Sequence, residues 1–234
     1  MRECRMNHVV KTIRGFRTKN EDYSLAVDGD SFYALADGIG GAPFGDVMAR
    51  IACARAYEAW KESGKEGASC LERLSRAIGC ADEACSRVSG WLGGQGSGTT
   101  LLIASYEQGR MHIASVGDSA AFALKDGKLI RLTGIGRRSR NDKALEEALG
   151  YDLNPKPNYW VGDKDACDAY LLCTDGMWDD ISDEGIEVVA SRFMTEWKKG
   201  TPDEILDAMM HLSMGRDNAT AILLTSRPKE NVER

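Results

Sequence analysis

The chain reads as an α+β protein in which a β-sandwich is flanked by helices. Three observations predict this. Short apolar and β-branched segments recur between Gly- and Asp-containing turns, and two long stretches with apolar residues at helical spacing interrupt them. No internal repeat, low-complexity tract or linker divides the 234 residues, so one unit spanning 1–234 is expected. Hydrophobic residues make up 43% and charged residues 28% of the chain, ordinary usage that permits a well-buried core.

The elements follow in order. Ser24–Val27 and Ser31–Ala36 read as a hairpin around Asp28-Gly29-Asp30, since Asp-Gly favours a tight turn. Val47, Ile51, Ala54 and Tyr57 predict a helix from Asp46 to about Glu62. Leu71, Leu74, Ile78, Ala81 and Val88 predict a second over Cys70–Leu92. Thr99–Tyr106, Arg110–Val116, Ala120–Lys125 and Lys128–Leu132 are β-rich and read as an antiparallel meander. Gly134–Lys143 and Asn154-Pro155-Lys156-Pro157 read as loops before an apolar strand at Asp168–Thr174. Helices are expected over Asp183–Trp197 and Pro202–Leu212, the latter with Thr201 as N-cap. Ala219–Thr225 is the last strand.

Composition narrows the function classes. The formal net charge is -6, and the one dense basic cluster, Arg137, Arg138 and Arg140, reads as a solvated loop that a phosphopeptide could also use. This argues against nucleic acid, which needs a basic stripe. No apolar run approaches membrane-spanning length, and the start MRECRMNHVVKTIRG has no apolar segment after its basic residues. A cytoplasmic protein with no membrane contact is expected, monomeric by default. The seven cysteines, Cys4, Cys53, Cys70, Cys80, Cys85, Cys167 and Cys173, follow no zinc spacing and read as reduced, small hydrophobic residues.

Acids stand at the ends of apolar strands, three of them beside glycine: Asp37-Gly38, Gly117-Asp118 and Asp175-Gly176. A single Asp-Gly is an ordinary turn former. Here the set is accompanied by Asn20-Glu21-Asp22 before a strand and Asp217-Asn218-Ala219-Thr220 before the last one. Carboxylates brought this close raise one another's pKa unless a cation neutralises them. The donors are all oxygen, while His8, His112 and His211 lie outside these stretches, which favours Mg²⁺ or Mn²⁺ over zinc.

The order of these stretches resembles the PP2C (PPM) family of metal-dependent protein serine/threonine phosphatases, in its bacterial branch. The matching residues are Gly15-Phe16-Arg17 through Asn20-Glu21-Asp22, Asp37-Gly38-Ile39-Gly40-Gly41, Gly98-Thr99-Thr100, Gly117-Asp118-Ser119, Thr174-Asp175-Gly176-Met177-Trp178-Asp179 and Asp217-Asn218-Ala219-Thr220. The resemblance implies an α-β-β-α sandwich of two mainly antiparallel sheets flanked by helix pairs. It implies two divalent ions and a possible third. Asp37 would bridge two, the Gly38 carbonyl would serve one, and Asp175 and Asp217 the other. Glu21 would act through water, Asp22 and Asn218 would support the ligands, Arg17 would bind phosphate, and Asp118 would hold the third ion. The implied catalytic residues are thus Arg17, Asp37 and Asp118. The implied reaction is direct hydrolysis of phosphoserine or phosphothreonine by an activated water, on a phosphorylated protein made by an opposing serine/threonine kinase.

The chain departs from the family pattern in three places. Ile39 stands where some members have a histidine that protonates the leaving group, and Ala120 replaces a frequent arginine. The stretch from Leu132-Thr133 to Leu149-Gly150 is shorter than the usual flap. Two other readings stay open: an inactive PP2C-like binding or regulatory domain, and a phosphatase for a non-protein phosphoester.

Overall fold

Side-chain alternation within the strands sets the layering. The structure, a computed structural model, describes residues 6–91, 96–126, 128–139, 144–151, 155–163, 167–179, 200–211, 213 and 215–225. One five-stranded sheet runs in the order β2 (Asp22–Val27), β3 (Phe32–Asp37), β4 (Leu101–Glu107), β5 (Arg110–Val116), β8 (Asn158–Asp163). The other runs β1 (Asn7–Ile13), β10 (Ala219–Thr225), β9 (Ala169–Cys173), β6 (Ala120–Lys125), β7 (Lys128–Arg131). All the strand pairs are antiparallel.

Strand β3 shows how two cores are served at once. Phe32, Ala34 and Ala36 face the paired helices α1 (Gly45–Lys65) and α2 (Cys70–Trp91), whereas Tyr33 and Leu35 face the second sheet. Met111 and Ile113 from β5 meet Tyr170 and Leu172 from β9 and Ile222 and Leu224 from β10 in this middle layer. Beyond the second sheet, Leu171, Ala221 and Leu223 pack against Met177 and Trp178 of the short α3 (Asp175–Trp178) and Ile205 and Met209 of α4 (Pro202–Met210). The result is the expected α-β-β-α order.

Helix α1 begins one residue before its expected start and runs three past the expected end; α2 matches to within a residue. Thr201 and Glu204 form a reciprocal capping box at the start of α4, with Pro202 behind it. The helix expected over Asp183–Trp197 lies outside the described residues.

Three features differ from expectation. The expected hairpin forms, but residues 28–30 make a 3₁₀ turn closed by Ser31 at φ 49° in place of a tight Asp-Gly turn. The meander breaks after β5: β6 leaves for the other sheet, and β5 pairs instead with β8. Strands β1 and β8 also form, each supplied with ladder partners by distant segments. Among the described residues no helix is long and apolar enough to cross a membrane.

The inter-sheet layer should dominate stability. Ile222 is fully buried there, while Ile130 on an edge strand is 45% exposed. Ile222→Ala is expected to lower unfolding free energy by about 2–5 kcal/mol, and Ile130→Ala by less than about 0.5 kcal/mol. Urea denaturation measures both, and equal losses would contradict this layering.

Candidate active site

The β2–β3 register sets two carboxyl groups side by side, because Asp22 at the start of β2 pairs directly with Asp37 at the end of β3. The backbone of Asp37 is then clamped. Its N–H donates to Thr100 Oγ1 at 2.9 Å, while its carbonyl accepts from Thr100 N at 2.9 Å and Thr99 Oγ1 at 2.8 Å. Thr100 Oγ1 also meets Ser119 Oγ at 2.9 Å, which ties this strand end to the turn carrying Asp118. Gly38 lies against the first residue of α1, where an added Cβ would come within 2.6 Å of Gly45 Cα.

Asp118 sits where the chain changes sheets. Gly117 has φ +88° and a Cβ there would strike Thr100, so this crossing needs glycine. Asp175 opens α3 directly after β9, and Asp179 follows one helical turn later. Thr174, the residue before α3, donates to Asp22 Oδ2 at 3.0 Å and so joins the two sheets beneath the acids.

Asn218 fastens the loop that precedes β2. Its amide donates to the carbonyls of Arg14 and Lys19, both at 2.8 Å, and its Oδ1 accepts from Glu21 N at 2.9 Å. Glu21 and Arg17 are thereby brought over Asp217. Arg17 Nη2 donates to Asp217 Oδ2 at 2.5 Å, and its guanidinium lies beside Gly40, where a Cβ would approach Nη1 to 3.2 Å.

These groups line one cleft of about 750 Å³. Arg17, Glu21, Asp37, Asp118, Asp175 and Asp217 form its charged side, and Ile39, Leu145, Ala148 and Tyr151 an apolar wall. The wall comes partly from the short segment after Thr133, which returns to the fold through paired backbone hydrogen bonds between Thr99 and Leu149.

The charged side is electrostatically crowded. Burial, then Asp22 and Asp175, hold Asp37 well above the usual carboxylate range. Burial pushes Asp22 up to about 7 against hydrogen bonds from Thr220 and Thr174, and Asp118 up to about 6, with Asp175 adding to the rise and Arg137 opposing it. Glu21 is raised by burial and by Asp46, and Asp175 by burial against the pull of Arg137. Asp22 Oδ1 and Asp175 Oδ1 are buried without a hydrogen-bond partner among the described residues. Orphaned carboxylate oxygens of this kind fit a cation. Among the described residues no three acidic, histidine or cysteine side chains already stand as a closed metal site, and the cations that meet the acids here are Arg17 and Arg137.

Of the site residues that the resemblance implies, Arg17, Glu21, Asp37, Gly38, Asp118, Asp175, Asp217 and Asn218 line this cleft. Asp22 does not line it but stands beside Asp37 in the β2–β3 register. The histidines stay away: His8 pairs with Asp28 at 2.5 Å, and His112 lies in β5 opposite Val161. Arg137 departs from its expected place in a solvated loop, being buried against Asp118, Asp175 and Asp179. Asp179 stood in the matching stretch Thr174–Asp179 without a role of its own, although its spacing of four from Asp175 at a helix start was a usable signal.

Residues 17–212 match the model of the family described as protein phosphatase 2C. The serine/threonine protein phosphatase PstP of Mycobacterium tuberculosis is 28% identical over 201 residues, which is 77% of this chain but 38% of that protein. The serine/threonine phosphatase stp of Listeria monocytogenes is 26% identical over 94% of this chain and 95% of its own. The fold is shared with the PstP catalytic domain solved with two manganese ions (TM-score 0.78, 24% identity, 94% of this chain and 98% of that one). It is also shared with Stp1 of Staphylococcus aureus (TM-score 0.79, 21% identity, 95% of this chain and 96% of that one). The fold and the acid-lined cleft define a PP2C-type architecture. The chain belongs to the protein phosphatase 2C family.

Two outcomes test this site without reference to turnover. Asp22 is more easily protonated folded than unfolded, so its burial is tolerated in acid and becomes unfavourable as pH rises from about 4 to about 7. In chelator, wild-type stability relative to Asp22→Asn should fall by about 1.4 kcal/mol per pH unit across that window, and parallel urea-midpoint curves would refute it. Asn218→Ala removes the anchor of two carbonyls and one N–H. It should cost about 2–3 kcal/mol and speed hydrogen exchange in residues 14–21, and unchanged exchange there would contradict the anchoring.

Proposed function

We propose that this chain hydrolyses phosphoserine and phosphothreonine monoesters in proteins with the help of divalent Mg²⁺ or Mn²⁺. The observation that carries this is the convergence of Glu21, Asp37, Asp175 and Asp217 with Arg17 along one open cleft. The family supports the reaction type, and the names of the PstP and stp relatives support a protein substrate phosphorylated on serine or threonine.

Asp37, Asp175 and Asp217, with the Gly38 carbonyl, would hold the ions, and Glu21 would hold water beside them. The PstP catalytic domain solved with two manganese ions supports metal binding in this fold, and the orphaned Asp175 Oδ1 supports an ion at these acids in this chain. Ions bound there would supply an acidified water and positive charge toward the phosphoryl oxygens. The threonine clamp fixes the Asp37 backbone at the cleft. Arg17 has five N–H donors and the bond from Nη2 to Asp217 leaves others for phosphate, so it can orient the phosphoryl group without releasing the acid. The apolar wall of Ile39, Leu145 and Tyr151 would take the residues flanking the phosphoester, and Ile39 itself has no proton to give the leaving oxygen.

Phosphoserine- and phosphothreonine-peptide turnover with Mn²⁺, and its loss on chelation, is the direct experiment. Undiminished turnover in metal-free buffer, or none with Mn²⁺, would reject the proposal. Arg17→Ala should lower kcat/KM on the order of ten- to a hundredfold through one lost charge-assisted contact. Asp37→Asn should abolish most turnover while leaving the circular dichroism of the fold intact.

A further inference from the structure

Arg137 is placed beneath the acids by the backbone before it. Gly136 has φ +69° and packs on the Gly117–Asp118 peptide so closely that a Cβ would lie 2.6 Å from Asp118 N. Backbone hydrogen bonds hold the far side, with Arg137 bridged to Leu145 and Glu146 N donating to Gly136 O at 2.9 Å. The Arg137 side chain is 1% exposed. Its Nε donates to Asp118 Oδ2 at 2.5 Å and its Nη1 to Asp179 Oδ1 at 2.8 Å, while Nη2 meets both Asp118 Oδ2 and Asp175 Oδ2. The Trp178 ring lies 5.5 Å from the guanidinium, and Arg131 approaches the same ring while donating to the Asp118 carbonyl.

A guanidinium and a divalent ion compete for such a place. Arg137 already holds Asp118 Oδ2 from two nitrogens, so a metal ion on the same carboxylate would compete with it and face a fixed positive charge within a few ångströms. The third-ion role that the family resemblance implies for Asp118 does not fit these residues. The other oxygen of Asp175 is in the reverse situation, since Oδ1 is buried with no hydrogen-bond partner among the described residues.

We infer that Arg137 is a built-in cation that substitutes for a divalent ion between Asp118, Asp175 and Asp179, leaving ions to bind only on the Asp37–Asp217 side of Asp175. The inference rests on the metal-dependent reading above. It makes Arg137 a positioning residue: it fixes the Asp175 carboxylate through Oδ2, so that Oδ1 faces the ions. It also gives the chain a charge at this point that dilution and chelators do not remove.

Manganese bound per chain, measured by equilibrium dialysis at neutral pH, tests this without turnover. Asp118→Asn should leave the wild-type count unchanged, Arg137→Lys should keep it, and Arg137→Ala should bind one Mn²⁺ more, which a second change of Asp118→Asn removes. Loss of one Mn²⁺ from the otherwise wild-type protein on Asp118→Asn would overturn the inference, as would an unchanged count in folded Arg137→Ala. If the alanine variant does not fold, the Asp118→Asn comparison decides alone. Phosphopeptide turnover measured in parallel separates the two claims. Wild-type protein that binds Mn²⁺ with these counts yet releases no phosphate sinks the phosphatase proposal and leaves the role of Arg137 standing.

Discussion

Too many carboxyl groups share too little solvent at the end of this sandwich. Asp22, Asp37, Asp118 and Asp175 are each held above the normal carboxylate range first by burial and then by neighbouring acids. Such a cluster persists only where packing over-determines it and positive charge is supplied. The threonine clamp on Asp37, the Thr174 bridge to Asp22 and the Asn218 anchor are the over-determination. Arg17 and Arg137 are the charge that the chain carries itself, one exposed and one buried in the lining of the cleft.

The two arginines are not equivalent. Arg17 is 45% exposed on a loop and shares a single nitrogen with Asp217, so a competing anion can reach it. Arg137 is enclosed, with three acids and an indole around it, and moving it would strand several buried charges. Exposure separates a group suited to exchange partners during a reaction from one suited to hold geometry.

Much of this was legible in the residues because strand ends, glycines and acids coincide there. The alternation in Phe32–Ala36 and the helical spacing in both long helices follow from local periodicity, and the capping box at Thr201 is a local signal as well. The acids of the cleft stood out as a set by their order along the chain. What local pattern could not supply was partnership at a distance. Asn7–Ile13 becomes a strand because residues 219–225 offer it a ladder, and the turn at Gly117 sends β6 to the other sheet because Leu171 and Leu172 wait there. Arg137 was misjudged for the same reason: in Gly-Arg-Arg-Ser-Arg, nothing local says which guanidinium turns inward, and the deciding contact lies with Gly117 and Asp118.

The hold of Asn218 on residues 14–21 and the pairing of β1 with β10 join the two extremes of the described chain. On a ribosome, Arg17 and Glu21 emerge about two hundred residues before the segment that locates them. The first hairpin and the paired helices can collapse early, since their contacts are near neighbours in the chain. The cleft cannot close until β10 has left the exit tunnel, so the acids and Arg17 stay apart until then.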